Sequence, residues 1–247
     1  MFSLDPRGGH NRYKFNVDFF KKWTPEMAYV LGFMYADGNI VDSVVSRTQY
    51  VSFDSTDREI LEKIKIVLSS NHQIQVKPAK LIIHSNGTYK SKESFRLRIG
   101  SREMFHDLLK LGVTLRKSLT VQFPRNIPSN CLSHFIRGYF DGDGCVHIIR
   151  GRGKYGQEIL GGLAVIFTSG SKIFLEDLRS EFEKIGLSGG KIYFGSRAYR
   201  LKYPTSKSMR WFQVFYGNLF DDLFLKRKMG TFIKYFQRRT RKIDYDI

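Results

Sequence analysis

Two segments about a hundred residues apart, "LGFMYADGNI" (31–40) and "IRGYFDGDGCV" (136–146), follow one pattern. Each is apolar with helical period, carries small residues four positions apart, and ends in an acid followed by glycine. In the first, Ala28, Gly32 and Ala36 form a stripe; in the second, Gly138 and Gly142 match its last two members. Small residues at that spacing let two helix backbones approach closely. If the two helices pack together, Asp37 and Asp143 finish at the same end of the contact. Few folds accommodate that twice-made device, and the rest of the chain can be read around it.

The surroundings repeat too. Thr24 is placed to cap the first helix and Pro25 to open it, giving a helix to about Asp37. The Val-, Ser- and Thr-rich stretch 39–53 reads as one or two strands. Ile60, Leu61, Ile64, Val67 and Leu68 have the spacing of one helix face. "KLIIH" and "SFRLRIG" read as strands, and "REMFHDLLKLG" as a helix ended by Gly112. The second unit predicts the same order. A helix capped by Ser129 or Asn130 is followed by the strand "LGGLAVIFTS" and a helix closed by Gly186. The strands "GKIYFGS" and "MRWFQVFYG" come next, then a short helix "NLFDDLFL". The offset between copies grows from 106 (Asp37 to Asp143) through 114 (Ile60 to Phe174) to 117 (Gly100 to Gly217), as loop insertions would produce. The expectation is an α+β fold of two pseudo-symmetric αββαββα subdomains, 1–120 and 129–247. The linker is 121–128, where Pro124 and Pro128 break helix.

Charge points to the partner. Lys+Arg number 41 against 23 Asp+Glu, a formal +18, which calls for a polyanion: nucleic acid or an anionic membrane surface. No apolar run is long enough to span a bilayer and the N-terminus lacks a secretory core, so an intracellular, non-secreted protein is expected. Cys131 and Cys145 form neither a CxxC pair nor a disulfide framework. Nucleic acid leads. In "SFRLRIG", Phe95, Leu97 and Ile99 alternate with Ser94, Arg96 and Arg98, so one sheet face projects two arginines. Arginine suits guanine edges and phosphates, though a solvated sheet face accepts it equally. "HIIRGRGKYGQ" reads as a flexible hairpin tip with Arg150, Arg152 and Lys154. Residues 195–210 read as a basic loop with Arg197, Arg200, Lys202, Lys207 and Arg210, and "KYFQRRTRKIDYDI" as a basic tail. Charge runs are often only solvated surface; three such tracts also fit a long phosphate track.

Two carboxylates a few ångströms apart repel, and each takes a raised pKa unless a cation neutralises them. Mg²⁺ is suited to that place, being a hard ion that accepts carboxylates, water and phosphate oxygens. One acid per repeat beside a divalent metal suits in-line attack of water on a phosphodiester, and a pseudo-twofold protein suits the two strands of a duplex. Either segment alone reads as well as a helix stop over a packing stripe. Their joint occurrence in a duplicated, very basic chain favours the chemistry.

At these residues the sequence resembles a known family. "VLGFMYADG" (30–38) and "FIRGYFDGDG" (135–144), framed by "EMAYVLGFMYADG" and "LGVTLRKSLTVQFPRNIPSNCLSHFIRGYFDGDG", resemble the paired motifs of single-chain LAGLIDADG homing endonucleases. The resemblance implies motif helices packed through Gly32, Ala36, Gly138 and Gly142, under two saddle-shaped antiparallel sheets that bind DNA. It implies Asp37 and Asp143, with Ala36 and Gly142 before them, as the site for Mg²⁺, which Mn²⁺ or Ca²⁺ could replace for binding. It further implies a basic residue beside each acid, matched here by Lys117 and Lys228, to polarise water or steady phosphorane charge. The partner would be double-stranded DNA with a long, pseudo-palindromic target, cut with a stagger across the minor groove by a monomer. One position departs: the sixth motif residue, often Asp, is Tyr35 in the first copy and Asp141 in the second. An RNA maturase for a group I intron, or a DNA-binding regulator, could use the same scaffold.

Overall fold

Thr24 starts the first helix as its side chain allows. Its Oγ1 accepts from the Met27 N–H at 3.1 Å, and Pro25 opens α1 (Pro25–Asp37). In this computed structural model, which describes residues 13–43, 48–84, 87–219 and 222–243, every residue from Met27 to Tyr35 is buried. A helix buried all round is a central helix, not a surface one. At Gly38 the chain passes directly into strand β1 (Gly38–Ser43), then β2 (Thr48–Ser55), α2 (Arg58–Val67) and β3 (Ile74–Lys77). A hairpin of β4 (Leu81–His84) and β5 (Gly87–Lys90) intervenes before β6 (Ser94–Gly100) and α3 (Arg102–Lys110). The second half begins with α4 (Ser129–Asp143), again passing at a glycine into β7 (Gly144–Arg152). It continues with β8 (Glu158–Ser169), α5 (Lys172–Lys184), β9 (Lys191–Gly195), β10 (Ala198–Tyr203), α6 (Ser208–Tyr216) and α7 (Lys226–Ile243).

The two main sheets are antiparallel and equivalent in order, β1-β2-β6-β3 and β7-β8-β10-β9. Each buries one face beneath its own helices: Val51, Phe53, Leu97 and Ile99 in the first, Leu163, Val165, Phe167 and Leu201 in the second. Between them α1 and α4 make the most extensive helix–helix contact of the molecule. Residues 120–128 carry no helix or strand, yet they are no loose tether. Val121 is buried, and Phe123 packs on Phe135 and Phe174. Among the described residues no helix is long and apolar enough to cross a membrane.

Four expectations for the second half are corrected. "MRWFQVFYG" is helix α6 rather than a strand: Trp211 and Phe215, one turn apart, pack on Phe167, while Phe212 and Tyr216 pack on Phe232 of α7. Two adjacent apolar stripes erase the polar spacing that would have marked the helix. Residues 195–210 are not one loop, because Tyr199, Leu201 and Tyr203 alternate inward and make β10. The described residues of "NLFDDLFL" form no helix; Asp221 and Phe220 lie outside the described residues. Most of the basic C-terminal run is the end of α7. The Gly100–Gly217 equivalence fails with these. Leu97 pairs with Phe53 as Leu201 pairs with Phe167, an offset of 104, and α6 matches α3 at 106. The offset falls back because the β4–β5 hairpin lengthens the first half. The Ser129 or Asn130 cap is also replaced: Pro128 precedes α4, with no side-chain cap.

Candidate active site and nucleic-acid face

The centre of the molecule is built by absent side chains. A Cβ added to Gly32 would overlap the Phe135 carbonyl oxygen, and one on Gly138 would overlap the Tyr29 carbonyl oxygen. Tyr29 and Phe135 stand in the same relation as the two glycines, 106 residues apart, so the contact is pseudo-twofold to the atom type. Further along, Gly142 meets the Ala36 methyl, with the Asp37 Oδ2 at 3.4 Å from where its own Cβ would lie. Gly38 and Gly144 also serve close approach, and not as left-handed caps. Their backbones are extended (φ −89° and −88°), and a Cβ there would press on the Met34 and Phe140 backbones at 2.6 and 2.8 Å.

These contacts bring Asp37 and Asp143 to the paired C-terminal ends of α1 and α4. Both ends carry the negative pole of a helix dipole, which adds to the mutual repulsion of the acids. Burial raises the Asp143 carboxyl to about 6, and the neighbouring Asp37 charge adds to the shift against the pull of Lys117 and Lys228. Asp37 is exposed on its outer side; the protein packed against its inner side raises its carboxyl, opposed by Lys228 and Lys117. The pair titrates jointly, so these directions belong to the dyad.

Lys117 and Lys228 are buried beside it. Lys117 Nζ donates to the Ala36 carbonyl at 2.9 Å, and burial lowers its pKa. Lys228 Nζ donates to the carbonyls of Phe140, Asp141 (2.9 Å) and Gly144 (2.7 Å), and burial lowers it to about 8. An ammonium has three donors. Those of Lys228 are all engaged, whereas Lys117 Nζ makes one hydrogen bond among the described residues. Lys228 is therefore a fixed positive charge at the α4 terminus, and Lys117 retains donors for a ligand. The Ala36 carbonyl, one of the expected metal-site atoms, already accepts from Lys117; its second lone pair is left over.

Among the described residues no group of three or more His, Cys, Asp or Glu could hold a metal ion by itself. Two neighbouring carboxylates, Asp37 exposed on one side and Asp143 half-buried, are what the chain provides. That donor set fits Mg²⁺-type binding, in which one or two carboxylates are completed by water and substrate phosphates.

The open sheet faces flank this centre. On the first, Arg96 forks onto Asp54 (Nε–Oδ1 2.9 Å, Nη2–Oδ2 3.0 Å), and Lys77 joins the same carboxylate. The Arg98 guanidinium lies 3.5 Å from the centroid of the Tyr50 ring. On the second, Arg200 and Lys202 alternate outward beside Thr168 and Ile166, with Lys191 opposite Lys202. Arg150 and Arg152 belong to β7, and Arg150 pairs with Glu158 at 3.3 Å. Lys154 sits at the β7–β8 tip and Arg197 at the β9–β10 tip. Lys207 ends a single 3-10 turn, Thr205–Lys207. Arg210 is corrected: it lies on α6, in the helix layer, and donates to the Ile185 carbonyl at 3.2 Å.

Several participants escaped the sequence reading. Asp54 and Tyr50 become partners of the arginines only through β2–β6 register, which no local pattern encodes. Arg137 and Asp141, one turn apart on α4, hold the segment leading to α7: Arg137 Nε donates to Leu223 O at 2.9 Å, and Asp141 Oδ2 accepts from Leu225 N at 3.0 Å. A buried charge inside an apolar helix was the available signal. That segment also reaches the first half, where Arg227 forks onto Asp57 and Lys63 meets Asp222 at 3.2 Å.

The sequence pattern of the LAGLIDADG-like domain matches residues 24–111 and again 130–213. No curated protein matches the chain. Among solved structures, the homing endonuclease I-WcaI bound to its DNA recognition sequence is similar with TM-score 0.59 and 14% identity, covering 93% of this chain and 95% of that one. The LAGLIDADG meganuclease I-AabMI bound to uncleaved DNA gives 0.57 at 13%, covering 90% and 92%. I-SmaMI bound to uncleaved DNA target in the presence of calcium ions gives 0.53 at 14%, covering 91% and 93%. At such identities the likeness is one of fold. The two pattern matches span most of the chain and begin and end around the two halves described above, so this chain belongs to the LAGLIDADG family and carries two copies of its domain.

Proposed function

We propose that the chain is a site-specific double-strand DNA endonuclease that hydrolyses phosphodiesters with a divalent metal, Mg²⁺ inside the cell. The observation that supports this reading is the convergence of Asp37 and Asp143 at the paired ends of α1 and α4, where the Asp37 charge helps to raise the Asp143 carboxyl, between two sheets whose open faces carry arginine and lysine. Asp37 and Asp143 would hold the cation, with water and a scissile phosphate completing its shell. When bound, it supplies Lewis-acid stabilisation and a more acidic water. Lys117 offers its remaining donors to that water or to the phosphate oxygens, and Lys228 adds a fixed positive charge. Each half, 1–120 and 129–247 about the connection 121–128, takes half of a long, pseudo-palindromic site, so one chain suffices. Arg96, Arg98, Arg150, Arg152, Lys154, Arg197, Arg200 and Lys202 form the DNA-facing set. A maturase or a binding-only regulator needs no paired acids, and their presence here favours the nuclease.

The test is Mg²⁺-dependent cleavage of a duplex spanning the insertion junction of the gene's own intron, followed with Asp37→Asn and Asp143→Asn. Each variant is expected to lose cleavage while keeping DNA affinity within roughly a few-fold, since the acids repel phosphate and hold metal. Cleavage retained in either variant ends the assignment.

A further inference from the structure

The sixth motif position holds unlike residues, Tyr35 in α1 and Asp141 in α4, yet both side chains do the same kind of thing. The Tyr35 hydroxyl donates to the Leu111 carbonyl at 2.7 Å, at the start of the segment that runs to Lys117. Asp141 Oδ2 accepts from the Leu225 N–H at 3.0 Å, three residues before Lys228. Leu225 in turn is where α7 begins, its carbonyl accepting from the N–H of Lys228 at 3.0 Å. One anchor is a donor to a carbonyl and the other an acceptor from an amide, so the tyrosine–aspartate exchange reverses the polarity of the bond and keeps its place. We infer that Tyr35 and Asp141 are positioning residues, each anchoring the backbone segment that delivers one lysine, Lys117 or Lys228, to the paired acids.

The surroundings are built for these anchors. Gly112, at φ +89°, makes the turn after Leu111, and a Cβ there would stand 2.6 Å from the Tyr35 hydroxyl. The α3 terminus closes beside it with Val113 N–H donating to Leu108 O at 2.9 Å and Gly112 N–H to Leu109 O at 3.0 Å, which fixes the exit direction of the chain. Tyr35 is held in place by rings, edge-on to Phe135 and stacked with Phe174. In the second half Tyr29 donates to the same Asp141 oxygen at 2.8 Å, so the anchor is tied to α1 as well. Arg137, one turn earlier, grips Leu223. Beyond the anchors, each lysine is also held at its own end: Lys117 O accepts from the Thr120 and Val121 N–H groups, and Lys63 Nζ donates to Phe224 O at 3.2 Å in the segment before Lys228. Ser118 packs its carbonyl over Gly170, and Arg227 forks onto Asp57.

The inference rests on the nuclease reading for its kinetic consequence but not for its structural one, and the experiment separates the two. Amide hydrogen exchange is followed on the metal-free, DNA-free protein, and nicking of each labelled strand is followed on the junction duplex with Mg²⁺. Asp141→Leu is expected to speed exchange at residues 222–228 while α1 stays protected, and to slow one strand roughly ten- to hundredfold, the scale of a misplaced group. Tyr35→Phe keeps the ring packing, loosens residues 111–117, and slows the opposite strand. Asp141→Asn retains an acceptor for Leu225 and restores both protection and rate, a rescue that a general loss of stability would not give. Unchanged exchange in both Tyr35→Phe and Asp141→Leu overturns the inference, as does equal slowing of both strands by each of these two variants. Absence of any cleavage by the wild type strikes the nuclease reading alone, because the exchange result stands without it.

Discussion

The two halves agree at their centre and diverge at their outer faces. At the α1–α4 contact, Gly32 and Gly138 meet equivalent carbonyls, and the correspondence reaches individual residues. On the open sheets the same basic character is handled in two ways. The first sheet ties its cations down, Arg96 and Lys77 to Asp54 and Arg98 to the Tyr50 ring. The second sets Arg200, Lys202 and Lys191 among Thr168, Ile166 and Tyr193, with no acid on β8 from 160 to 169, on β9 or on β10. A forked arginine is oriented before DNA arrives, which suits reading a base edge; a free cation follows the phosphates wherever they lie. The two copies thus share the geometry at the axis and differ in how their open sheet faces hold their cations.

Symmetry at the centre is tested by the largest effects. Gly32→Leu and Gly138→Leu each force a side chain into backbone, with no flexible neighbour to yield, and each is expected to destabilise by more than about 3 kcal/mol or to prevent folding. The two losses should be similar. Denaturant midpoints that differ widely between them, or that remain at the wild-type value, would break the pseudo-twofold reading of this contact.

Asymmetry of the sheets is tested next, by salt titration on cognate and scrambled duplexes. Arg96→Ala is expected to relax discrimination at one base pair, by roughly 1–3 kcal/mol, while Lys202→Ala weakens all sequences alike and lowers the salt slope by about one. Asp54→Asn releases Arg96 and Lys77 and should raise affinity for scrambled DNA while lowering selectivity. If Lys202→Ala relaxes selectivity and Arg96→Ala does not, the roles of the two faces are reversed.

A smaller effect separates the acids from the sheets. In the metal-free protein, Asp143 has a folded pKa of about 6 against an ordinary 3.8. A carboxyl raised on folding contributes stability below its unfolded value and loses it as pH rises through the folded one. Chelated wild-type protein should therefore be weakest, in this respect, near neutral pH and above. Asp143→Asn should be more stable by on the order of 1–2 kcal/mol near pH 8, the gain vanishing toward about pH 4. A gain that does not depend on pH would show that charge at this position is not the cause.

The centre was legible because it is local in the sequence: two stripes of small residues, two Asp-Gly ends and one offset locate it. In the first half α2 and α3 were legible because each has one apolar stripe, and β6 because it alternates; β3 and β5 were not read, and "KLIIH" belongs to the added hairpin while Ile74–Lys77 takes its place in the main sheet. The α6 segment was not legible. Trp211 and Phe215 face one way and Phe212 and Tyr216 another, so composition pointed to a strand and the periodicity was hidden. That error moved β10 into a supposed loop and Arg210 onto the wrong face. The partners of Arg96, Arg98 and Asp141 are set by strand register and by contacts across more than forty residues, which local patterns do not carry.

The smallest expected effect concerns the strand connections at the outer ends of the two sheets. The strands β3 and β6 are joined through the β4–β5 hairpin, whereas β9 and β10 are joined by two residues, Ser196 and Arg197. Both have positive φ, 54° and 66°, between the paired Gly195 and Ala198. That is the geometry of a type I′ turn, which follows strand twist well but favours Asn-Gly over side chains with a crowded Cβ. Ser196-Arg197 holds a guanidinium at the tip at the expense of a relaxed backbone. Arg197→Gly should accordingly raise stability by about 0.5–1 kcal/mol and, if the tip meets a phosphate, lower the salt slope of DNA binding by about one. Thermal melts and salt titrations of the one variant read both. A rise in stability with an unchanged slope would leave the turn a structural device and remove Arg197 from the DNA-facing set; a loss of stability would mean that its side chain, rather than its backbone, holds the hairpin.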